Sequence, residues 1–357
     1  MKKTLLYIFL VLISCTVVFY LIISKKKKRE FSGFDRIFVG MNINLESSSK
    51  FRDNQFGFLS EPDQNIWFYD YTKPLTIIKA NYSLTELQEE KLKPTGNFSI
   101  PAWLVELDKI DSTIIANNQI GDIVALSSKI NHKYKLAGVS IDIVKAISPN
   151  SVIGRGFTNT NGKHETQLIK IMLLQDAKIK EKYTIPRQVD GMFDSDGMIY
   201  YDKLNSKIFY MFYHRGSFLC LDTNLNLKYK AKTVDTINTA KIKLVSSALK
   251  LPNGKTIHKE TPTAPLNLVN RYFATDKKFI YINSGLEADN ELDKYLSLYT
   301  PIDVYSIEDG SYLHSFYLPK YKGFKASQFK IKGNILIAIY RNYIVTFSIK
   351  EKLSLTK

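Results

Sequence analysis

Five histidines could act as acids, bases or metal ligands: His132, His164, His214, His258 and His314. None stands at a paired spacing that would hold a metal ion, so neither a metal nor any other cofactor is expected. His214 is followed by Arg215, just ahead of an apolar stretch, where a turn between strands is predicted. Arg155 and Arg271 also lie near the ends of strand-like segments. A guanidinium offers five donors in a planar fork that matches a carboxylate or phosphate. Arg155, His214, Arg215 and Arg271 are therefore the expected ligand-binding residues. Gly154-Arg155-Gly156 lacks the third glycine and the βαβ context of a dinucleotide fingerprint. Asp194-Ser195-Asp196-Gly197 resembles half of a calcium loop without its bidentate glutamate, and the same residues make a tight turn into a strand. The turn is the reading adopted. Glu287, Asp289, Glu291 and Asp293 read as a solvated acidic loop. No serine sits in a nucleophile elbow, and no catalytic residue is singled out.

The elements that would position these residues are strands. A hairpin recurs six times, beginning at Leu75, Asp122, Gln167, Ser217, Pro301 and Tyr343. Each copy has an apolar strand, a short polar turn and a second strand alternating Lys, Glu or Tyr with Leu or Ile. Alternation marks the second strand as half-exposed. Successive copies start about 45–50 residues apart, the period of four-stranded propeller blades, apart from one gap of about 85. Short apolar strands upstream (residues 65–69, 112–115, 198–201, 279–282 and 334–337) are the predicted inner partners. The predicted fold is all-β, a six-bladed β-propeller over residues 31–357. The apolar run Phe34–Val39 is expected to complete the last blade, and residues 233–265 to form an insertion.

Residues 65–82 (NIWFYDYTKPLTIIKANY), 189–223 and 301–319 carry a resemblance to TolB-like six-bladed propeller proteins of bacterial envelopes. More narrowly, the chain resembles a functionally uncharacterised group of membrane-tethered propellers. The resemblance implies the propeller fold and an envelope location, and it names no reaction.

Residues 4–24 carry no charge and are long enough to span a bilayer, with Lys2-Lys3 before them and KKKKR at 25–29. Residues 1–30 are therefore expected to be an N-terminal transmembrane anchor with its basic flank. Leu12-Ile13-Ser14-Cys15 offers an alternative, a lipoprotein signal with Cys15 lipidated. The five basic residues at 25–29 favour a cytoplasmic body by the positive-inside rule, although large domains translocate largely regardless of charge. Tethered propellers of the resembling group imply an exported, extracytoplasmic or periplasmic body. Cys15 and Cys220 are the two cysteines, so the body can hold no internal disulfide. The formal charge is +16, but no nucleic-acid-binding motif accompanies it, so no nucleic-acid partner is expected. The expected function is a non-enzymatic binding or scaffolding module for an envelope protein, peptide or glycan. A hydrolase or lyase working in the propeller funnel is the alternative.

Overall fold

The computed structural model describes residues 7, 11–18, 32–51, 55–73, 75–93, 106–117, 122–126, 131–136, 139–160, 163–250 and 256–351. The chain divides into two compact units, Met1–Ser32 and Gly33–Lys357.

In the first unit, residues 11–18 form a helix, α1. Among the described residues no helix is long and apolar enough to cross a membrane. The remainder of the predicted 4–24 span, apart from Tyr7, lies outside the described residues.

In the second unit, β1 (Met41–Lys50) is followed by blade one, made of β2 (Phe56–Phe58), β3 (Ile66–Asp70), β4 (Thr76–Ala80) and β5 (Leu87–Lys91). Blade two has β6 (Glu106–Ile110), β7 (Thr113–Asn117), β8 (Asp122–Leu126) and β9 (Asn131–Lys135). Blade three has β10 (Ser140–Ser148), β11 (Ser151–Thr160), β12 (Lys163–Leu173) and β13 (Ala177–Thr184). Blade four has β14 (Gly197–Asp202), β15 (Lys207–Phe212), β16 (Ser217–Asp222) and β17 (Leu227–Lys232). A separate hairpin, β18 (Leu244–Lys250) and β19 (Thr256–Pro262), occupies the predicted insertion. Blade five has β20 (Asn270–Thr275), β21 (Phe279–Ser284), β22 (Tyr299–Ser306) and β23 (Tyr312–Pro319), with a short helix α2 (Asp293–Leu298) between its second and third strands. Blade six has β24 (Gln328–Lys332), β25 (Ile335–Tyr340) and β26 (Tyr343–Glu351). All six blades are antiparallel and four-stranded, with β1 as the outermost strand of the sixth.

Middle strands such as β7, β16 and β25 are buried almost throughout, because a neighbouring blade covers each face. Outermost strands keep one wet face, and β13 alternates accordingly. Six buried apolar clusters join each blade to the next and return from the sixth to the first. That circuit makes the six-bladed ring.

One expectation is corrected. The strand that closes the ring is β1, not Phe34–Val39. An outermost strand needs only one face buried, so β1 reads MNINLESSSK rather than apolar. Phe34–Val39 instead runs beside β23, with Phe38 in a parallel bridge to Ser315 and stacked on Tyr317. Met198–Tyr201, predicted as an inner strand, lies in β14, the innermost strand of blade four.

Candidate functional site

The first strands of blades two to six lie side by side around the axis. Their charged residues meet there. Lys145 of β10 reaches Glu106 at 3.5 Å and Asp108 at 3.7 Å on β6. Burial pushes both carboxyls up, although Lys145 pulls each back. Lys330 of β24 pairs with Glu61 and lies 4.2 Å from the Tyr200 ring centre.

Arg155 stands on β11, the second strand of blade three. Its Nε donates to Asp142 at 2.9 and 3.1 Å. Nη1 donates to Asp196 at 2.5 Å, to the Gly197 carbonyl at 3.0 Å and to Tyr210 Oη at 3.3 Å. Asp142 projects towards Arg155 from a bulge between Ile141 and Ile143. Gly197 lets β14 close on β15, since a Cβ there would lie 2.3 Å from the Met211 carbonyl oxygen. Arg155 therefore ties blade three to blade four, with all three of its nitrogens bonded to protein. It is a brace between blades.

His214 and Arg215 occupy the turn between β15 and β16. His214 Nδ1 lies 2.9 Å from the Asn267 carbonyl, which it meets as a donor, and Nε2 faces Asp196 at 3.9 Å. Asp196 thus lies between Arg155 and His214. A small cavity beside the ring is lined by Ile237, Lys241, Ile242, Leu266 and Asn267. The phenol of the adjacent Tyr213 is pushed up to about 12 by burial and by Asp196, so it keeps its proton as a donor.

Arg215 is buried, with its guanidinium 3.6 Å from the Phe212 ring centre. Nη2 donates to the Pro186 carbonyl at 3.1 Å, and Nε has no partner. Burial lowers its pKa, and the nearby Asp194 offsets this only in part. Pro186 also lines a surface hollow of about 490 Å³ with Glu165, Thr166, Thr184, Ile185 and Arg187. Arg271 is elsewhere: it is exposed on a bulge of β20, beside Gly285.

The acidic turn before β14 is occupied by its own backbone. Asp194 accepts the N–H groups of Gln188, Val189 (2.9 Å) and Gly191 (2.6 Å), while Asp190 accepts those of Phe193 and Asp194. The other acidic run is not a wholly solvated loop, because Glu291 is buried against Arg36. Arg36 was missed by the sequence reading, although a lone arginine inside the apolar run Phe34–Val39 was a usable signal. No group of His, Cys, Asp or Glu able to hold a metal ion occurs among the described residues. His132 and His314 lie on the outer strands β9 and β23, and the side chains of His164 and His258 fall outside the described residues.

No protein-family model matches the chain, and no curated protein matches it. Among solved structures, a member of the DUF4221 family from Bacteroides vulgatus is similar over 90% of this chain and 100% of its own, with a TM-score of 0.52 and 12% identity. A structural-genomics protein of unknown function from Bacteroides thetaiotaomicron is similar over 87% of this chain and 76% of its own, with a TM-score of 0.46 and 9% identity. BamB from Moraxella catarrhalis covers 86% of this chain and 100% of its own, with a TM-score of 0.43 and 10% identity. The first likeness is one of fold, and the other two carry nothing further.

Proposed function

We propose that this protein is a membrane-attached, non-enzymatic binding module that captures an anionic group on an envelope peptide, glycan or protein. Arg215 carries the proposal. A buried guanidinium with an unpartnered Nε is costly to keep unless a ligand uses it. The Pro186 carbonyl that it does hold borders a hollow large enough for a small ligand. Arg155, by contrast, is occupied by Asp142 and Asp196. Full-length wild-type and Arg215→Met proteins, immobilised and exposed to solubilised envelope, provide the test. Wild type is expected to retain a peptide, glycan or protein that phosphate elutes, and the variant to retain at least tenfold less. Retention of nothing by wild type, or of equal amounts by both, refutes the proposal.

Membrane attachment belongs to the same reading. It rests on the uncharged residues 4–24 and on α1, where Ser14 and Thr16 hydroxyls donate to the carbonyls of Val11, Leu12 and Ile13. Such self-satisfaction suits polar groups in an apolar surrounding.

A second reading, hydrolysis or elimination in the channel, draws on the raised carboxyls of Glu106 and Asp108. Lys145 holds both, so a substrate would have to displace it. Loss of a turnover, once one is found, in both Glu106→Gln and Asp108→Asn would favour this reading.

A further inference from the structure

The outermost strands of the six blades are not alike in charge. β9, β13 and β17, on the consecutive blades two, three and four, carry eight exposed lysines against one glutamate, Glu181. The outermost strands of the other three blades, β5, β23 and β1, carry two lysines, Lys50 and Lys91, against Glu46, Glu89 and Glu90. Lysine on an exposed edge prevents edge-to-edge aggregation. Residues 37–39 cover part of the β23 edge. The edges of blades one and six have the same need, yet the lysines gather on blades two to four. The outermost strands of blades two to four therefore form a basic belt, and those of the other three blades are near neutral.

We infer that the belt over blades two to four docks on the anionic phospholipid headgroups of a bilayer. The inference rests on the proposed membrane attachment. A propeller attached to a membrane meets its surface repeatedly, and each lysine close to an anionic surface multiplies docking about fivefold. Exposed charges act only over about 8 Å at physiological salt, so docking must be salt-sensitive.

The full-length protein in lipid nanodiscs tests this. A fluorophore at Glu181→Cys on the belt, or at Glu89→Cys on blade one, reports approach to a headgroup-borne quencher, in a Cys15→Ala background. Strong quenching at position 181 is expected with anionic phosphatidylglycerol and not with phosphatidylcholine alone. Position 89 is expected to stay bright in both. High salt should reverse the quenching, and Lys178→Glu, Lys182→Glu, Lys230→Glu and Lys232→Glu together should reduce the docked fraction at least tenfold. These side chains are exposed, so an unchanged melting temperature confirms that the variant is folded. Equal quenching in both lipids, or none lost in the fourfold variant, overturns the inference. If the chain enters no nanodisc but still binds phosphatidylglycerol vesicles through the four lysines, docking stands and the attachment reading falls. Displacement from the vesicles by a trace of nucleic acid or acidic polysaccharide would overturn lipid as the occupant.

Discussion

Arg36 interrupts an apolar run and is buried with two carboxylates. Nε meets Asp303 at 2.7 Å, Nη1 meets Glu291 at 2.6 Å, and Nη2 reaches Asp303 and the Leu286 carbonyl. Removing the cation leaves Asp303 and Glu291 buried without their counter-charge, a loss of about 3–5 kcal/mol. Arg36→Met is expected to lose that much in urea unfolding. Arg36→Met with Asp303→Leu and Glu291→Leu should recover most of it, and no recovery would mean that packing rather than charge holds the segment. Asp194 gives a pH-dependent counterpart. Burial pushes its carboxyl up, but the N–H groups of Val189, Gln188 and Gly191 outweigh burial and hold it below the usual range. A depressed carboxylate contributes stability that is complete above the unfolded value of about 3.9 and is lost as pH falls through the folded value. Asp194→Asn should cost about 2 kcal/mol at neutral pH. The gap from wild type should narrow as pH drops below about 4, and a gap constant with pH would refute this account.

The third and fourth strands were legible in the sequence because their environments leave opposite patterns. β16 (SFLCLD) has a blade on each face and is a continuous apolar run, whereas β13 (AKIKEKYT) has one wet face and alternates. First strands were harder to read. β6 (ELDKI) and β24 (QFKIK) carry the channel charges, and β2 has only three residues. The closing strand was missed for a related reason, since β1 is polar on its exposed face. Its pairing with β26 runs from Met41–Glu351 to Lys50–Tyr343 and covers an edge that would otherwise be bare. A chain beginning at Phe51 should therefore melt at least about 10 °C lower or aggregate. One beginning at Gly33 retains β1 and Arg36 and should melt like the full chain. Equal melting of the two truncations would show that β1 does not close the ring.

At the scale of the whole molecule, the sequence disclosed the number of blades and the net charge, while the placement of that charge needed the ring. The candidate site was half legible. His214 and Arg215 were recognisable as a turn, but Asp196, Asn267 and Pro186 reach them from other blades and loops, which no local pattern records. Attachment depends on residues 4–24 and is settled by chemistry at the N-terminus. If that stretch is an uncleaved anchor, the mature protein begins at Met1 or Lys2 and stays with the membrane in about 1 M salt. The reason is one of size: burying about twenty apolar residues, at about 25 cal/mol per Å², far exceeds the screened attraction of KKKKR for lipid. If Cys15 is lipidated instead, the first fourteen residues are lost, and Cys15→Ser blocks processing and leaves a heavier chain. N-terminal mass spectrometry separates these outcomes. An acylated Cys15 at the start of the chain would replace the anchor with a lipid and place the body outside the cytoplasm, because lipoprotein processing follows export. Release of the intact chain by salt alone would defeat both forms of attachment, and lipid docking by the basic belt would then have to stand on the vesicle measurement alone.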